Sequence, residues 1–160
     1  MGDIKGTHSM KALASLGRAA CVLLLASASG MALAALEDAP SEQPAAKVQR
    51  TAAVTAGGVS YTDVSRTLHS GTVVHEFVDA TGAVFAVSWS GPFKPDLKRL
   101  LGRHFGRLRD GDGKHAANRS RLDVDAGDFV VQSGGHMGAF EGKAWLPARL
   151  PAGFDTQEMK

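Results

Sequence analysis

Ser133 and His136 stand three residues apart in VVQSGGHMGAFEGKAWLP, residues 130–147, with two glycines between them. A serine becomes a nucleophile when a base lies within hydrogen-bond reach and donors await the oxyanion. Glycine backbone at this spacing could bring the pair together, so a small hydrolase using Ser133 and His136 is one reading. The hydrolase elbow, however, needs a glycine two before and two after the serine. Val131 holds the first of those positions, and Ser88 holds the equivalent place before Ser90. In the plainer reading, Gly134-Gly135 form a hairpin turn needing positive φ, and His136 opens the next strand.

Metal chemistry has no comparable foothold. The histidines after residue 34 are His69, His75, His104, His115 and His136, in no metal-binding spacing. DGDGKHAANRSR has Arg121 where a calcium loop needs its twelfth-position glutamate. No metal or other cofactor is expected. Basic residues offer a second binding chemistry. From Lys94 to Arg121 nine Lys or Arg face three Asp. Arg99, Arg103 and Arg107 recur every four residues, so one helical ridge could hold phosphate, a sulfated glycan or lipopolysaccharide. The same pattern describes the solvated face of any amphipathic helix. Trp89 and Trp145 could stack on sugars if exposed, and are ordinary packing residues if not. No nucleic-acid motif is visible.

The elements that must carry these residues follow from pattern. Residues 61–91 read as three strands, with turns at Ser70-Gly71 and Ala80-Thr81-Gly82. The second turn sets Asp79 opposite Ala83. An unbroken register then places Val73, His75 and Phe77 on one face with Trp89, Val87 and Phe85. Leu97, Leu100, Leu101, Phe105 and Leu108 repeat at helical spacing after Pro95 and Asp96, predicting an amphipathic helix of about four turns. Two or three further strands follow, through SRLDVDA, DFVVQS and Ala139–Trp145. The expected fold is α+β: a small antiparallel sheet of five to six strands, in β-β-β-α-β-β order, packed by one amphipathic helix.

The N-terminal region reads as an address. Lys11 and Arg18 precede an apolar run, and Ala32-Leu33-Ala34 has the small-x-small form of an export cleavage site. The apolar run is short of the ~20 residues of a membrane span. Residues 1–34 are therefore expected to be an N-terminal extension plus a cleaved signal. The mature protein then lies in the periplasm or outside the cell without a transmembrane anchor. Removing 34 of 160 residues leaves 126, with 15 Lys plus Arg against 15 Asp plus Glu. Cys21, the one cysteine, leaves with the signal, so thiol chemistry and disulfides go with it. Residues 35–58, rich in Ala, Pro, Ser, Gln and Thr, are expected as a flexible linker. Residues 59–154 form the domain and 155–160 a tail.

SGTVVHEFVDATGAVFAVSWSGPFKPDLKRLLGRHF and DFVVQSGGHMGAFEGKAWLPARLPAGF resemble an exported bacterial family, domain of unknown function 2844. The resemblance covers roughly residues 61–154. It implies export and a shared small domain, and it carries no catalytic residue. The leading expectation is a non-catalytic binding or structural domain of the envelope or extracellular space, with an unidentified partner that could be anionic. The candidate ligand contacts are Arg99, Arg103, Arg107, Trp89, Trp145 and His136.

Overall fold

Short loops that reverse the chain set the architecture. At Asp79–Ala83 the Asp79 amide donates to Ala83 O and the Gly82 amide returns to Asp79 O. The Asp79 carboxylate also accepts from the Thr81 and Ala83 amides. Gly82 at φ 87° supplies the left-handed residue that a three-residue hairpin loop requires. The same pair of backbone bonds recurs at 55–59 and 68–72. Four strands are thereby joined as successive hairpins.

The structure is a computed structural model and describes residues 36–112 and 121–159. The elements are β1 (Lys47–Val54), β2 (Ser60–Thr67), β3 (Val73–Val78), β4 (Val84–Gly91), α1 (Leu97–Leu101), α2 (Phe105–Asp112), β5 (Leu122–Asp125), β6 (Val130–His136) and β7 (Ala139–Trp145). They form one seven-stranded sheet in the order β1-β2-β3-β4-β7-β6-β5. Every neighbouring pair is antiparallel. The expected signal and Cys21 lie outside the described residues, as does His115.

The α+β expectation of five to six strands under one helix is overturned. The protein is mostly sheet, and its helical part is short and broken. Asp96 caps α1, its carboxylate accepting from the Arg99 amide at 3.1 Å. Gly102, at φ 52°, ends α1 after five residues, and a 3-10 turn leads to α2. The additional strand, β1, lies within the stretch expected as a linker. Its composition offered no apolar periodicity because seven of its eight residues are exposed, and pairing with β2 alone holds it.

The sheet separates two layers. On the helix face Val64, Val74, Val87, Trp89, Val124, Val131 and Ala144 pack with Leu100, Leu101 and Leu108. Leu36, fully buried, joins them, and the Leu36 amide donates to Leu100 O at 3.2 Å. The Glu37 amide and Asp38 O then bond Val84. Residues 36–41 therefore fold over this face. Deep in it, Arg66 Nε donates to Glu76 Oε2 at 3.0 Å, and the Ser41 amide to Glu76 Oε1 at 2.9 Å. On the tail face the last residues of the chain lie over Tyr61, Phe77 and Phe85. Phe154 meets those three rings edge-on at 5.3, 5.4 and 4.9 Å.

The expected register of β3 and β4 fails at one residue. Val78 pairs with Val84, but Phe77 pairs with Ala86, so a bulge takes up Phe85. Beyond it Glu76 faces Val87 and Val74 faces Trp89. Glu76 is thus a core residue, and His75 turns to the tail face.

Candidate functional site

The bulge aligns a polar row across the tail face. His75 is opposite Ser88, Ser88 opposite Lys143, Lys143 opposite Gln132, and Gln132 opposite Asp123. Neighbours in such a row stand about one strand spacing apart, ~4.8 Å. At the His75 end, Nδ1 lies 2.9 and 3.0 Å from the two carboxylate oxygens of Asp63. The imidazole also stacks on Phe77 with centroids 6.2 Å apart. Asp63, His75 and Ser88 have the residue types of a nucleophilic triad. Ser88, however, is 2% exposed, so no acyl group reaches its hydroxyl.

Toward β5 the row opens into a groove of about 560 Å³. Ser90, Arg121, Asp123, Gln132, Glu141 and Lys143 line it, together with Met159. The strand residues among them come by alternation: each is one residue from a side chain buried on, or turned toward, the helix face. Lys143 Nζ donates to Thr156 O at 2.9 Å and lies 5.9 Å from the Trp145 ring centroid. The C-terminal segment so forms one wall, although residues 155–160 read as a bare tail. The groove thus gathers two cations, Lys143 and Arg121, two carboxylates, a primary amide and a hydroxyl. Such a set can give and accept hydrogen bonds at several points along a polar ligand.

The residues singled out from the sequence lie mostly elsewhere. Ser133 is on the helix face, 7% exposed, with Oγ donating to Glu141 O at 3.1 Å. His136, three residues along the same strand, takes the opposite face; it is exposed, and its Nδ1 is 3.1 Å from Met137 O. The two do not converge, which removes the hydrolase reading. Gly134 and Gly135 are strand residues, not the turn. Met137-Gly138 forms the turn, because His136 pairs with Ala139. A Cβ on Gly135 would sit 2.2 Å from Ala139 O. Trp89 is a 1% exposed core residue, its ring occupying the space of a Gly142 side chain. Trp145 is half-buried and packs with Phe77 and Phe85.

The arginine ridge is largely spent on carboxylates. Arg103 pairs with Glu37 and Arg107 with Asp128, while Arg99 is exposed at the start of α1. Arg107 holds the Asp128 carboxyl below its ordinary range, chiefly through their hydrogen bond. The break at Gly102 also ends the four-residue spacing as a single line. Arg149 Nε reaches Glu37 as well, at 3.2 Å, making Glu37 a hub between the segment before β1, the helices and the segment after β7. His104 Nε2 is 3.3 Å from the same carboxylate. Burial, then the neighbouring Arg103 and Arg107, keep the His104 pKa below its usual value. The imidazole is accordingly neutral at pH 7, and the Glu37 contact is a hydrogen bond instead of an ion pair. Asp79 sits below its usual pKa: burial pushes it up, but hydrogen bonds from Thr81 and Ala83, with Arg149 nearby, outweigh that.

Among the described residues no helix is long and apolar enough to cross a membrane, and no three His, Cys, Asp or Glu gather as a metal site. Missing from the sequence reading were Lys143, Gln132, Asp123, Glu141 and the His75–Asp63 pair. A strict alternation count from Gly138 would have put Lys143 and Glu141 on one face. The partner strands would still have been unassigned. Residues 32–159 match the model of a family described as "Protein of unknown function (DUF2844)". No curated protein and no solved structure matches the chain.

Proposed function

The chain belongs to the DUF2844 family, and from that premise we propose that it is an exported, non-catalytic binding domain of the envelope or extracellular space. Its binding element is the tail-face groove, and its ligand is a polar, hydroxyl-rich chain of the saccharide class. One observation carries this reading: Ser90, Asp123, Gln132, Glu141 and Lys143 converge from four strands on a single open groove of about 560 Å³. Charges of both signs beside an amide and a hydroxyl suit a ligand that offers donors and acceptors together. The two cations, Lys143 and Arg121, are balanced by two carboxylates, so the groove offers no net charge to a simple anion. Export rests on the N-terminal pattern of residues 10–34 and on the family resemblance.

The test is direct. Binding of a neutral or acidic oligosaccharide by the purified protein should weaken at least about tenfold in Lys143→Met and in Gln132→Leu, a loss typical of one good hydrogen bond in a site. Circular dichroism of both variants should be unchanged. Saccharide affinity indifferent to both substitutions would remove the groove from the account. Binding that responds only to Arg99→Ala would restore the basic helix as the site.

A further inference from the structure

The two edges of the sheet differ in a way the groove does not use. β5, at one edge, has four residues, two of them aspartates. Short, charged edges resist pairing with other chains. β1, at the other, runs eight residues, KVQRTAAV, and all but Ala53 are exposed. Val48 is 44% and Val54 63% exposed. Thr55 and Val59 share a backbone bond at the β1–β2 turn, and Leu68 and Thr72 share one at the β2–β3 turn. Alternation from either turn directs the amides and carbonyls of Lys47, Gln49, Thr51 and Ala53 to β2. Those of Val48, Arg50, Ala52 and Val54 therefore point outward, away from the sheet.

We propose that β1 pairs antiparallel with β1 of a second copy of this chain, joining two sheets across a two-fold axis at Thr51. Such an axis keeps the faces of both sheets aligned, so each residue must oppose one of its own parity. Centring on Thr51 sets Val48 against Val54, Arg50 against Ala52 and Thr51 against itself. All four outward-pointing residues then find partners, the two exposed valines cover one another, and no cation faces a cation. A shift to an axis at Arg50 sets the two guanidinium groups opposite each other and leaves Val54 unpaired. The favoured register thus follows from charge and hydrogen-bond satisfaction together. A seam one strand wide is small for an interface, so association should be reversible and in the micromolar range.

Sedimentation of the purified protein from about 1 µM to 1 mM spans that range. A concentration-dependent monomer–dimer equilibrium is expected. Ala52→Pro removes an outward amide and no intrachain bond, and should leave monomer at every concentration. Ala52→Glu faces Arg50 of the second copy and should tighten the dimer about threefold or more; Ala52→Lys should loosen it by as much. In a Cys21→Ser background, Thr51→Cys should form a disulfide-linked dimer on oxidation. Directly opposed residues of a non-hydrogen-bonded pair lie ~4.5 Å apart at Cα, within disulfide reach. Monomer throughout would overturn the proposal. So would polymers that lengthen with concentration, the mark of β1 pairing with β5 of the next copy, or a dimer unmoved by either charge change. Should Ala52→Pro fail to fold, the Glu and Lys variants decide the matter.

Discussion

The two faces of the sheet are closed by different means. The helix face is covered by Leu36, the helical segment and a buried Arg66–Glu76 pair, and its large residues are almost wholly excluded from water. The tail face is covered over β2, β3 and β4 by Phe154 and its aromatic neighbours, and it stays open beyond Lys143. One strand set therefore serves two ends. Its buried parity supplies stability, and its other parity supplies a polar surface that can meet a ligand. Substitutions should separate the two roles cleanly.

The largest effect is expected at Glu76, 1% exposed. Glu76→Ala leaves the Arg66 charge buried without its partner and should cost about 3–5 kcal/mol in urea unfolding. Leu36→Ala should cost about 2–5 kcal/mol, since its side chain is fully buried. A loss below about 1 kcal/mol would show that the segment before β1 does not close the helix face. Phe154→Ala on the tail face should cost less, about 2 kcal/mol, because Phe154 is only half-buried. A Phe154 variant as unstable as the Leu36 one would erase the contrast between the faces.

Acid should act through the helix face. The folded pKa of His104 lies below its unfolded value of about 6.5, so the unfolded chain takes up a proton first. Its contribution to stability is present above that pH and is lost as pH falls below it. His104→Gln should flatten the fall in urea midpoint between pH 7 and pH 5. An unchanged slope would place the acid sensitivity elsewhere.

The strands were legible wherever turn chemistry and alternation agreed. Asp79-Ala80-Thr81-Gly82 announced its loop, and the loop is there. Two things escaped. β1 has no apolar stripe because it faces water on both sides, so composition alone read it as linker. The bulge at Phe85 left no mark in the residue pattern, yet it reverses the facing of β4 from Ala86 onward relative to β3, so Val87 and Trp89 join Glu76 and Val74 on the helix face. His75 and Glu76 exchanged roles through that one residue. The groove was hidden for a related reason: Lys143, Gln132 and Asp123 come together only once β7, β6 and β5 are paired. Ser133 and His136 drew attention by closeness in sequence, but in a strand three residues apart means opposite faces.

Lys143→Met should change stability by no more than about 0.5 kcal/mol, the smallest effect expected, because its ammonium is at a groove wall. Its consequence should instead be read in ligand binding. The most direct measurement is therefore a backbone NMR titration of the purified protein with a panel of neutral and acidic oligosaccharides. Shifts confined to Asp123, Gln132, Glu141 and Lys143, and abolished by Lys143→Met, are the expected result. No shift with any member up to about 10 mM, or shifts centred on Arg99, would contradict a binding groove on the tail face.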